Sequence, residues 1–183
     1  MPSTRSTTVP SVIILYDIDE TTDDSRSAPA MSRARALGYL QGLNTNTNRP
    51  SADSIGAYAA TFGELSDGFR YVAADMQRYP VLFNSNYLHP DRSCGMYGAA
   101  QKLCALRRVQ AAFPDTAVVL FDDRDENVAV ARQHRFHAVQ ITTGFVDVND
   151  INQLAYSINS SVGDEPALLV RRRAAPDETR RSR

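Results

Sequence analysis

At 183 residues and 20.2 kDa, the chain has the size of one globular domain with a real core. Apolar residues make up 43% and charged residues 22%, ordinary values that argue against wholesale disorder. The net charge of −1 conceals residues 171–183, where six arginines face two acids, and a solvated terminus is a plainer reading of them than a nucleic-acid surface.

Residues 1–11 are rich in Ser, Thr and Pro and read as a disordered lead-in. Four short, nearly continuous apolar runs follow, at residues 12–16, 81–83, 117–121 and 138–141. Such runs suit strands buried on both faces of a parallel sheet. None is long enough to cross a bilayer or to form the core of a signal peptide. Between them, Ile55, Ala59, Phe62, Leu65, Phe69, Val72 and Met76 keep helical spacing, with Gly63 and Gly68 as breakers. Leu103, Leu106, Val109 and Phe113 mark a second helix, and residues 127–134 a third, with Asp123 or Asp125 available as its cap. Ile151, Leu154, Ala155 and Ile158 form a fourth amphipathic stripe. Alternating strands and helices imply an α/β fold with a doubly wound parallel sheet covered on both faces. Residues 12–160 read as one domain, with 22–50 as a flap or small cap, and 161–183 as an arginine-rich tail.

Doubly wound sheets bind ligands beyond the carboxyl ends of their strands. The first run is followed by Asp17-Ile18-Asp19-Glu20-Thr21, the second by Asn84-Ser85-Asn86, and the third by Asp122-Asp123. Four carboxylates at one sheet edge crowd like charges, and a hard divalent cation with oxygen ligands, magnesium above all, resolves the crowding. One carboxylate is then free to attack a phosphoryl group. Of the 20 basic residues 19 are arginine, so Lys102, the one lysine, calls for a reason.

The order Asp17-x-Asp19-x-Thr21, Ser85, Lys102, Asp122-Asp123 resembles the four motifs of the haloacid dehalogenase-like superfamily, across residues 12–142. The resemblance implies a Rossmann-like core with a small or absent cap, and a magnesium-dependent phosphatase. Asp17 is then the nucleophile that carries an aspartyl-phosphate, and Asp19 the acid and base. Thr21 closes the first motif, and Ser85 holds the phosphoryl group. Lys102 offsets the accumulated charge. Asp17, the backbone carbonyl of Asp19, and Asp122 or Asp123 hold the metal. Asn86 and Arg124 are further candidates for contact with the phosphorylated substrate. Glu20 stands where the family often has glycine, and Thr22 where leucine is common. A domain that keeps the fold without turnover, or a transferase with an acceptor other than water, is the alternative.

Other features carry less. The order of motifs is wrong for a receiver domain, and neither GxxxxGK[ST] nor GxGxxG occurs. His89 reads as a loop residue, and His134 and His137 straddle a helix end and a strand start, a poor arrangement for ligands. Cys94 and Cys104 form no CxxC pair and read as reduced thiols in a cytoplasmic protein. A membrane partner and a nucleic-acid partner both lack support, and oligomeric state is open.

Overall fold

The first strand, β1 (Val12–Tyr16), is buried at all five positions, as a central strand covered on both faces must be. A computed structural model describes residues 11–22, 25–46, 68–85 and 98–160. In them β1 is joined by β2 (Leu40–Thr45), β3 (Phe83–Ser85), β4 (Ala117–Asp122) and β5 (His137–Gln140). The five strands form one all-parallel sheet in the order β3-β2-β1-β4-β5. The chain therefore winds outward from β1 in one direction, then returns to its other side. Asp17 directly follows β1 and Asp122 ends β4, the two strands that flank this reversal, where α/β sheets place their ligands.

Five helices accompany the sheet in the described residues: α1 (Ala28–Ala36), α2 (Phe69–Arg78), α3 (Ala99–Ala112), α4 (Asp125–Gln133) and α5 (Val148–Ser160). α1 packs against α2 and α5, and α3 packs against α4. Side chains on β2 show which face each group covers. Gln41 Nε2 donates to Met31 O of α1 at 3.1 Å, whereas Asn44 Nδ2 donates to Lys102 O of α3 at 3.0 Å. Three residues apart on a strand, the two point to opposite faces. The expected doubly wound α/β architecture is the one observed.

Several boundaries and one element differ from the sequence expectation. The described part of 22–50 contains α1 and β2: β2 is an inner strand of the sheet and α1 packs beside it, where the sequence suggested a flap or small cap. α1 opens with Pro29 in its first turn and is capped by Leu37, with Gly38 (φ 77) just beyond. Gly38 N donates to Arg35 O, and Tyr39 N to Ala34 O, the paired bonds of a Schellman stop. The strand expected at 81–83 begins at Phe83, because Pro80–Leu82 forms a 3-10 turn. Arg124, not Asp123 or Asp125, is the N-cap residue of α4, and Asp122 Oδ1 accepts its N–H at 3.0 Å.

Cys104 is disulfide-bonded, which overturns its reading as a reduced thiol. Two Cβ atoms brought close by the fold suffice for such a bond, and sequence spacing does not report that distance. Disulfides are rare in reducing compartments. Cys94, His89, Asn86, the helical stripe at 55–65, the lead-in through residue 10 and the tail from 161 lie outside the described residues. No described helix is long and apolar enough to cross a membrane.

Candidate active site

The register aligns one polar row across four strands. Asn44 pairs with Asn84. Tyr16 pairs with Leu43 on one side and Phe121 on the other, so Asp17 comes level with Asn44 and Asp122. Asp17 N also donates to Phe121 O at 2.8 Å, carrying the β1–β4 pairing one residue beyond the strand. The row Asn84–Asn44–Asp17–Asp122 thus crosses the carboxyl edge of the sheet beneath α3.

Lys102, on α3, reaches into this row. Its ammonium lies 2.7 Å from Asp17 Oδ1 and 2.8 Å from Asp122 Oδ2, and it also donates to Asn44 O. The lysine is 1% exposed and Asp122 0%. Among the described residues, Asp17 Oδ1 and Asp122 Oδ2 take no hydrogen bond beyond this ionic contact. The other oxygen of Asp122 accepts Asn127 Nδ2 at 2.8 Å and Arg124 N at 3.0 Å. Burial pushes the Asp122 carboxyl above its ordinary range, with Lys102 working against that rise.

Asp123 completes the set. Ligand atoms of Asp17, Asp122 and Asp123 all lie within 4.8 Å of one another. Burial, then the negative charges of Asp122 and Asp17, pushes the Asp123 carboxyl up to about 6. Three carboxylates facing one ammonium leave a deficit of two positive charges when all are ionised. A divalent cation with a preference for oxygen matches both the charge and the donor set. The three carboxylates could therefore hold a metal ion.

Asp19 is half-buried, and its carboxylate is not among the three that cluster. It sits in a turn made by Thr21 N and Thr22 N, which both donate to Ile18 O. Thr22 Oγ1 donates to Asp17 O at 2.6 Å and fixes the strand end behind the Asp17 carboxylate. Thr21 is fully buried, and its hydroxyl has no hydrogen-bond partner among the described residues. Glu20 adopts φ 55, a left-handed conformation that glycine takes most easily. It lines, with Asp123, Ile141, Thr142 and Gly144, a cleft of about 400 Å³ beside the carboxylates.

Ser85 is buried, but it registers opposite Thr45 of β2. Its backbone therefore stands two strand spacings, roughly 10 Å, from β1. The strand beside β1 ends in Asn44 and Thr45, which sequence reasoning missed because β2 itself was missed. Arg124 is exposed and its guanidinium pairs with Glu126 at 2.9 Å. No protein-family model matches the chain, and no curated protein matches it in sequence.

Proposed function

We propose that this protein is a magnesium-dependent phosphatase of the haloacid dehalogenase-like type, hydrolysing a phosphomonoester through an aspartyl-phosphate on Asp17. The observation that supports it best is the buried Lys102 ammonium between Asp17 and Asp122, with Asp123 completing a three-carboxylate cluster at the sheet reversal. Asp17, Asp122, Asp123 and the backbone carbonyl of Asp19 would hold the metal. When bound, the metal neutralises phosphoryl oxygens and polarises phosphorus toward attack.

An Asp17 carboxylate oxygen attacks phosphorus as the bond to the leaving oxygen breaks, and Asp19 gives that oxygen a proton. Asp19 then takes a proton from water as the water oxygen attacks phosphorus, which releases inorganic phosphate and restores Asp17. Lys102 offsets the charge on Asp17 throughout. Thr45 ends the strand beside β1 and its hydroxyl would bind the phosphoryl oxygens, the part that Ser85, one strand further out, is too distant to take. The leaving group would occupy the cleft beside Glu20 and Asp123.

The test is thermal unfolding with magnesium and beryllofluoride, a mimic of phosphoryl on aspartate, in wild type and Asp17→Asn. A ligand specific to the native state adds about 2.7 kcal/mol at a hundredfold excess over Kd. A rise in wild type that vanishes in Asp17→Asn supports the reading. No rise in wild type overturns it and leaves a binding domain without turnover.

A further inference from the structure

We infer that Asn44 and Asn84 are positioning residues that hold the Lys102 ammonium between Asp17 and Asp122, an inference that rests on the proposed site. Asn44 grips Lys102 at both ends. Its carbonyl accepts from Nζ, and its side-chain amide donates to the Lys102 carbonyl at 3.0 Å. The amide can do this only with its nitrogen turned toward α3. Asn84 fixes that orientation by donating its own Nδ2 to Asn44 Oδ1 at 2.9 Å. The two asparagines are register partners on β2 and β3, so the sheet itself sets their spacing. Asn46 adds a second tie from the end of β2, donating to Gly98 O at the start of α3 at 3.5 Å.

The arrangement answers a physical need. A lysine side chain has four rotatable carbons, and a buried ammonium left to wander costs both entropy and charge compensation. Asn44 and Asn84 are themselves buried, and buried amides are kept in a fold when their bonds are made. Here those bonds run from β3 through β2 to the helix that carries the lysine. Their direction aims the ammonium at the two carboxylates: loss of the Asn44 amide would let the α3 backbone at Lys102 shift and carry Nζ with it, although the Asn44 backbone carbonyl remains as an acceptor.

Lys102 is the one lysine of the chain, so lysine-selective ¹⁵N labelling of the full-length protein gives a single side-chain ammonium signal. In wild type that signal is expected to be visible and slow to exchange with water. Asn44→Ala should move or broaden it, and Asn84→Asp, which keeps the shape and loses the donor, should do so to a smaller degree. A merely structural role would lower stability in urea and leave the ammonium of the folded molecules unchanged. An unchanged signal in folded Asn44→Ala, or in Asn84→Asp should the first variant not fold, overturns the inference. With magnesium and beryllofluoride, Asn44→Ala should need roughly 10–100-fold more beryllofluoride for the wild-type shift, the usual effect of losing a partner that orients a site group. The ammonium readout requires no turnover. A perturbed signal with no beryllofluoride response in wild type would uphold the positioning role while the phosphatase reading falls.

Discussion

Lys102 Nζ lies 2.7 Å from Asp17 Oδ1 in a setting where the lysine is 1% exposed. The contact joins the centre of the sheet to α3 and couples the proposed chemistry to the stability of the fold.

Removing that ammonium has a calculable consequence. Lys102→Met leaves the buried Asp17 and Asp122 carboxylates together without their cation, and breaking a buried pair in this way costs about 3–5 kcal/mol. Urea unfolding at neutral pH measures the loss. Magnesium should return part of it, because the same carboxylates then have a cation. Equal stability of variant and wild type in chelator would mean that the pair is not formed in solution.

Asp123 sets a pH dependence. Its carboxyl is raised from 3.8 to about 6 in the folded chain, so the folded state holds this proton more tightly than the unfolded state. The resulting stabilisation is full below the ordinary carboxyl range and is lost as pH rises through about 6. In chelator, wild type should therefore lose stability relative to Asp123→Asn as pH climbs from about 4 to above about 6. A stability difference that stays flat across that window removes the assigned proton. Magnesium affinity should rise over the same interval as Asp123 ionises.

Gly42 reports on β2 without reference to chemistry. A Cβ there would lie 2.1 Å from Leu82 O and 2.7 Å from Leu82 Cβ, so the 3-10 turn before β3 would have to move. Gly42→Ala should cost about 1–3 kcal/mol in urea unfolding, the usual range for overpacking. A neutral substitution would contradict the close approach of β2 to that turn.

Arg124 should matter little to the fold. Its pair with Glu126 is exposed on both sides, and such pairs contribute about 0–1 kcal/mol. Arg124→Ala is expected to leave the denaturation midpoint nearly unchanged. A larger loss would assign the side chain a structural contact beyond that pair.

The sequence by itself determined β1 and β4, because residues 12–16 and 117–121 are apolar runs that only a twice-covered strand can bury. It also fixed the order of Asp17, Lys102 and Asp122, since carboxylates directly after such strands must meet at one edge. α1 and β2 were not legible there. α1 buries only Ala30, Met31 and Ala34, too small a stripe to stand out from its arginines. β2 buries Gln41, Asn44 and Thr45, which resemble a loop until their partners are known. Tyr16 and Met31 satisfy Gln41, and Lys102 and Asn84 satisfy Asn44. A buried amide is acceptable only when its bonds are made, and those partners lie 10 to 58 residues away in the chain. Tertiary structure alone therefore decided that β2 stands beside β1, that Ser85 lies one strand further out, and that Lys102 is held from the sheet side by Asn44.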